Sequence, residues 1–355
     1  MVADFWKDKR VLVTGHTGFK GSWLSLWLRL AGARVMGLAL PPPTSPSLFD
    51  VCRIADDIES VIGDIRQLAT VQKAVTDFAP EIVLHLAAQS VVRASYKNPV
   101  ETYETNVMGT VHVLEAVRHI KGVKAIVVVT SDKCYENREW AWGYRETDAL
   151  GGFDPYSNSK GCTELVAAAY RDSFFSPGTY AQHGVAIATA RAGNVIGGGD
   201  WTEDQLLPDV MRAVAAGRPV SLRSPGATRP WQFVLEPLDG YLTLAERLCS
   251  DGPQRMIGWN FGPEDKHAQT VQWIVQRVCE QWGPGAQWNK DTTDHPHEAG
   301  YLKLDSSMAR TYLGWRPRLD LETALHWTVE WYRAYREKAD MRTITLEHIK
   351  RFMAA

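Results

Sequence analysis

Tyr156 and Lys160 stand four residues apart in Tyr156-Ser157-Asn158-Ser159-Lys160, a spacing that puts a phenol and an ammonium on one face of a helix. There the ammonium can lower the phenol pKa and make a base for oxidising an alcohol. Upstream, Thr130-Ser131-Asp132-Lys133-Cys134-Tyr135 sets a carboxylate beside a second lysine. A plain hydride transfer needs no further acid and base at the reacting carbons, whereas loss of water needs both. Asp132 and Lys133 therefore point to an elimination coupled to the oxidation. The competing account of Asp132 is a strand-end aspartate that caps a turn.

Such chemistry needs an electron acceptor, and the N-terminal segment offers a place for one. In Val11-Leu12-Val13-Thr14-Gly15-His16-Thr17-Gly18-Phe19-Lys20-Gly21 the glycines at 15, 18 and 21 follow a strand and open a helix. Gly15, Gly18 and Gly21 let the backbone turn tightly and let a pyrophosphate reach the helix N-terminus, with Thr17 and Phe19 in the same loop. The alternative is a glycine turn needed only for packing. An acidic residue normally ends the second strand and holds the adenosine ribose, but here that end reads Gly37-Leu38-Ala39-Leu40-Pro41, without a nearby base for a 2′-phosphate. The reading is NAD rather than NADP, held less tightly than where the acid is present. Asp64-Ile65, after the third strand, is where an adenine edge can be read, although Asp64 can equally cap the following helix.

The elements that must carry these residues follow from periodicity. Short β-branched runs at Arg10–Thr14, Arg34–Leu38, Glu59–Ile62, Ile82–Leu86, Ala125–Thr130 and Ala186–Arg191 alternate with helical segments, which implies parallel strands joined by crossover helices. One helix is expected from about Val100 to His119, another from near Pro155 through Tyr170. Beyond Arg191 glycines and prolines break the alternation, so a smaller substrate lobe is expected there. The predicted division is a dinucleotide-binding domain over 1–191 and 231–262 and a substrate domain over 192–230 and 263–355. The return is read from a helix in Trp231–Leu244 and a buried strand at Trp259-Asn260-Phe261. Trp23, Trp27, Trp327 and Trp331 sit at helical spacing and read as core.

The length of 355 residues fits two domains, or one large domain with a lobe, and a formal net charge of −2 gives no electrostatic reason to expect nucleic acid. No apolar stretch is long enough to cross a bilayer, and the charged N-terminus lacks a signal-peptide core. The five cysteines are scattered and never form a Cys-x-x-Cys pair, which fits a reducing cytoplasm best. In His295-Pro296-His297-Glu298 the proline spoils the spacing of a helical zinc site, so no metal is expected.

The glycine loop, Leu86-Ala87-Ala88-Gln89, the Tyr-x-x-x-Lys pair and Arg191-Ala192-Gly193-Asn194 resemble the extended short-chain dehydrogenase/reductases that modify nucleotide-linked sugars, over essentially the whole chain. Within them, Ser131-Asp132-Lys133, Gly197-Gly198-Gly199-Asp200-Trp201, Arg229-Pro230-Trp231-Gln232 and the His295–Glu298 segment are similar to the 4,6-dehydratases, with a CDP-linked hexose as the implied substrate. The resemblance implies a Rossmann-type α/β fold, a doubly wound parallel sheet with a smaller mixed α/β substrate lobe. It implies NAD bound beside Leu86, Ala87, Ala88, Tyr156 and Lys160, and a homodimer formed as a four-helix bundle by the helices starting near Val100 and Pro155.

The implied roles are specific. Tyr156, assisted by Lys160, takes the proton of the sugar 4-hydroxyl while the C4 hydride leaves. Ser131 shares the hydrogen bond to the 4-oxygen. Asp132 is the acid at the departing C6 hydroxyl, which requires a raised pKa. Lys133 replaces the glutamate of the dTDP- and GDP-sugar dehydratases; either burial yields a neutral amine that takes the C5 proton, or a cation stabilises the enolate, and the first is favoured. Asn194, Arg229 and Arg318 are candidates for the diphosphate, with a solvated surface site the rival account of Arg318. Gln89 and Ser90 are expected to face the crevice, and His297 and Tyr301 to touch the nucleotide. The alternatives are a nucleotide-sugar 4-epimerase, a dehydratase for another nucleotide sugar, or a non-catalytic NAD-binding protein on the same scaffold.

Overall fold

The computed structural model describes residues 4–291 and 300–355. Six strands form where β-branched residues alternate with helices: β1 (Arg10–Thr14), β2 (Arg34–Ala39), β3 (Glu59–Ile62), β4 (Ile82–His85), β5 (Ala125–Val129) and β6 (Ala186–Ala192). With the strand Gly258–Phe261 they make a seven-stranded sheet. Its order is Gly258–Phe261, β6, β5, β4, β1, β2, β3, and every neighbouring pair is parallel. β4, β5 and β6 are buried along their whole length, as strands covered by helices on both faces must be. The strand order reverses between β1 and β4, which opens a crevice at their carboxyl ends.

The helix expected from Val100 to His119 is interrupted. Helical turns over Pro99–Tyr103 and Gly109–Arg118 flank a π-helical turn, Glu104–Met108. Asn106 at its centre explains the wider turn, because its carbonyl accepts the hydroxyls of Thr110 (2.7 Å) and Thr163 (3.0 Å). The helix carrying Tyr156 and Lys160 runs from Pro155 to Phe174, opened by Asp154, whose carboxylate accepts the Ser157 N–H. The helix read within Trp231–Leu244 begins only at Leu235 and continues to Asp251. Trp231 and Gln232 are extended instead, since Gln232–Phe233 pairs with Val195–Ile196.

Past β6, two further two-stranded pairings occur among the described residues. Thr228–Pro230 lies antiparallel to Ala268–Thr270, and Val220–Leu222 lies parallel to Trp288–Lys290. The four tryptophans read as core are buried, and Trp23 donates to the Gly198 carbonyl at 3.1 Å. All five cysteines are free, and among the described residues no helix is long and apolar enough to cross a membrane.

Gly21 shows why the loop tolerates no side chain. A Cβ there would lie 2.1 Å from the Gly15 carbonyl oxygen and 2.8 Å from the His16 Cα. Gly21→Ala is expected to destabilise the protein by about 1–3 kcal/mol, the usual cost of overpacking, read as a lower midpoint in urea unfolding.

Candidate active site

Gly15 adopts φ +79, and a Cβ on it would meet the Ala87 backbone nitrogen at 2.8 Å, so the glycine loop presses directly on the chain leaving β4. Gly18 is the cap of the helix Phe19–Leu30 and brings no side chain to it, leaving the first-turn N–H groups to face an anion. The Thr17 hydroxyl donates to the Leu40 carbonyl at 2.9 Å, tying the loop to the end of β2. His16 packs so closely on β2 that a Cβ at Gly37 would lie 2.1 Å from its ring. This strand end carries Ala39 and Leu40 and no carboxylate. A dinucleotide's phosphates therefore fit the loop, while the ribose clamp is missing.

The seam between the loop and β4 is a chain of hydroxyls. Thr14 Oγ1 accepts the N–H groups of Leu86 and Ala87, both at 3.1 Å, so its own hydrogen goes to His85 Nδ1 at 2.6 Å. His85 Nε2 then donates to Thr110 Oγ1 at 3.1 Å, and the Thr110 hydroxyl donates to the Asn106 carbonyl. Burial, reinforced by Lys160, lowers His85 to about 3 and keeps it neutral.

Ser131, Asp132 and Lys133 follow β5 in a single 3-10 turn, Asp132–Cys134. Ser131 caps it by accepting the Lys133 N–H at 3.2 Å, so the turn is closed by the serine and not by the aspartate. One carboxylate oxygen of Asp132 accepts the Ser131 hydroxyl at 2.9 Å. The other is buried without a hydrogen-bond partner among the described residues. A carboxylate only 1% exposed and half satisfied is costly, and such exceptions concentrate where chemistry is done.

Tyr156 and Lys160 are buried beside this turn. Burial pushes the Tyr156 phenol well above its ordinary value and Asp132 adds to the rise, while a hydrogen bond with Ser131 opposes it. The expectation that Lys160 lowers the phenol meets a different geometry, because the Lys160 ammonium donates to the Val129 carbonyl at 3.2 Å. Burial lowers Lys160 to about 8, an effect reinforced by Lys20 and opposed by Glu164.

Lys133 from the Asp132–Cys134 turn reaches the wall of a cleft of about 520 Å³, together with Ser90, Asn194, Arg229 and Trp231. Arg229 is nearly buried on its short strand and donates to the Thr228 carbonyl at 3.0 Å. Asn194 Oδ1 is buried with no partner among the described residues.

These observations can be set beside known proteins. The family model described as GDP-mannose 4,6 dehydratase matches residues 12–328. The chain belongs to that family. It is 55% identical over 352 residues to the CDP-glucose 4,6-dehydratase of Salmonella typhimurium, covering 99% of this chain and 98% of that protein. Among solved structures it resembles the UDP-glucose 4-epimerase of Thermotoga maritima with UDP-glucose, with a TM-score of 0.78, 21% identity, and coverage of 92% and 99% of the two chains. It also resembles the UDP-glucose 4-epimerase of Thermus thermophilus in complex with NAD, with a TM-score of 0.77, 25% identity, and coverage of 91% and 99%.

The other described candidate residues have partners within the protein. Arg318 is exposed and lies outside the wall of the cleft, as the surface account had it: its N–H and that of Leu319 donate to Glu236, and its guanidinium lies 5.2 Å from the Phe352 ring centre and 3.5 Å from Asp239. It clamps the C-terminal helix, Met341–Ala354, against the helix Leu235–Asp251. Gln89 turns inward, its amide donating to Thr102 at 3.0 Å. Asp64 is held by Arg66 at 2.7 Å, which lowers its pKa, while Ile65 is buried against Gly109. The Tyr301 hydroxyl donates to Ala141, and His297 lies outside the described residues.

Two residues escaped the reading from sequence. Lys20, half-buried in the first turn after the loop, is lowered by burial to about 8; attraction to Asp132 opposes this and repulsion from Lys133 reinforces it. Gly193 makes room for the acid, since a Cβ there would lie 2.9 Å from Asp132 Oδ2 and 2.6 Å from Pro230 Cγ. The only signal for it was the segment Arg191-Ala192-Gly193-Asn194.

Proposed function

We propose that the chain converts CDP-D-glucose to CDP-4-dehydro-6-deoxy-D-glucose, a hydro-lyase reaction in deoxysugar biosynthesis. The observation that carries this reading is the buried, half-satisfied Asp132 beside Lys133 and Tyr156; a simple 4-epimerase needs no such acid. Identity to the Salmonella protein supports the nucleotide.

The cofactor is NAD, which when bound would supply the hydride acceptor for C4 and the hydride donor for C6. Gly15, Thr17, Gly18, Phe19 and Gly21 hold its phosphates, with Leu86, Ala87, Ala88 and the Asp64-Ile65 corner along the rest. The neutral end of β2 makes retention weak. Tyr156 takes the proton from the 4-hydroxyl, Ser131 shares the hydrogen bond to the 4-oxygen, and Lys160 is the adjacent cation. The new carbonyl acidifies the C5 proton, and Lys133 is the group that takes it. Asp132 gives its proton to the C6 hydroxyl as water departs. Arg229 and Asn194 bind the diphosphate, Ser90 lines the sugar end, and His297 and Tyr301 are assigned to recognition of the base. We place the protein in the cytoplasm as a homodimer. Exposed Val100 (69%) and Leu165 (60%) on the two long helices support a four-helix bundle between subunits.

Incubating the purified protein with CDP-, dTDP- and GDP-glucose tests the reading: only the CDP sugar is expected to give a product absorbing in alkali, as 4-keto sugars do. Retention of the sugar's C6 hydroxyl in the product would instead favour the epimerase. Lys133→Met is expected to lower exchange of the C5 proton with solvent deuterium by about 10²-fold or more, read by mass spectrometry, because methionine keeps the length and loses the amine. Exchange at the normal rate would assign the base elsewhere.

A further inference from the structure

Glu164 has no part in the proton transfers above, yet it is among the most heavily bonded side chains in the protein. It lies one turn beyond Lys160 on the same helix and is almost fully buried. One carboxylate oxygen accepts the Thr130 hydroxyl (2.5 Å) and Arg191 Nε (2.9 Å). The other accepts the Thr189 hydroxyl (2.6 Å) and Arg191 Nη2 (2.8 Å). Arg191 Nη1 in turn donates to the Tyr135 hydroxyl at 2.7 Å, and that hydroxyl donates to Asn260 at 2.7 Å.

These bonds join two pieces of the centre. Thr130 immediately precedes Ser131-Asp132-Lys133, and Tyr135 immediately follows their turn, so both ends of the segment are tied to the Glu164–Arg191 pair. The pair itself stands on the helix that carries Tyr156 and Lys160. A buried ion pair contributes little to stability compared with apolar packing, but its fixed geometry can hold one arrangement.

We propose that Glu164 is a positioning residue that, with Thr130, keeps the groups for loss of water in register with the groups for oxidation at C4. This rests on the roles given above to Asp132 and Lys133. Loosening the link displaces the Ser131–Lys133 turn while Tyr156 stays on its own helix. The first step then proceeds and the second lags.

The test uses the full chain with NAD and CDP-glucose, and wild-type conversion first establishes the underlying reading independently. Thr130→Val removes one hydroxyl and leaves the ion pair intact; Glu164→Gln keeps the shape and removes the charge. In single-turnover mixing, both folded variants are expected to form NADH at close to the normal rate and to hold it longer. Steady-state kcat should fall about 10- to 100-fold, a common result of small misplacement, with KM little changed. Should Glu164→Gln fail to fold, Thr130→Val decides. The proposal is overturned if Thr130→Val leaves the balance between NADH formation and loss of water unchanged, slows both steps equally, or loses activity only in proportion to unfolding.

Discussion

Tyr156→Phe is expected to stop the reaction at its first step, lowering kcat by roughly 10²- to 10⁴-fold, the range for removal of a positioned acid–base group. The phenol is buried beside Ser131, and no other hydroxyl of the described centre combines that contact with a neighbouring Lys160. Phenylalanine fills the same volume, so folding should survive. CDP-glucose binding by calorimetry should remain close to normal, and rapid mixing should show no NADH. A variant that still forms NADH at the wild-type rate would remove Tyr156 from the oxidation.

Asp132→Asn is expected to separate the steps. The amide keeps the shape and can still meet Ser131, but it has no proton to give to a leaving hydroxyl. Oxidation at C4 should persist while loss of water falls by about 10²- to 10⁴-fold. The signature is NADH that forms and then lingers, together with a 4-keto hexose that still carries its C6 hydroxyl, trapped with borodeuteride and read by mass spectrometry. If water loss continues unchanged, the carboxylate is only a buried structural group. Asp132→Asn leaves the glycine loop, Tyr156 and Lys160 untouched, so a loss of cofactor binding in that variant would point to unfolding rather than chemistry.

The sheet was legible because its strands are short β-branched runs at crossover spacing, a local property. All six early strands start where the pattern places them, and the late strand Gly258–Phe261 completes the sheet as its apolar sequence suggested. The π turn around Asn106 was not legible, because it depends on hydroxyls of Thr110 and Thr163 contributed from outside the turn. The helix of Leu235–Asp251 was read too early because the pairing of Gln232–Phe233 with Val195–Ile196 is non-local. Ser131, Asp132, Lys133, Tyr156 and Lys160 do come together, since a strand end and the next helix bring them there. Arg318 and Gln89 looked like ligand contacts by type, yet their partners, Glu236 and Thr102, are distant or adjacent in ways that residue type alone does not encode. Gly193 was visible only as a glycine, because the need for space beside Asp132 arises after folding.

The imidazole of His85, locked between two threonines, has a broader consequence. Its hydrogens can run in one direction only, and it takes up no charge until strongly acidic conditions. The joint between cofactor cradle and scaffold is thus electrically silent across the range in which a cell lives. A bell in the activity-versus-acidity curve would therefore have its origin elsewhere than at this joint.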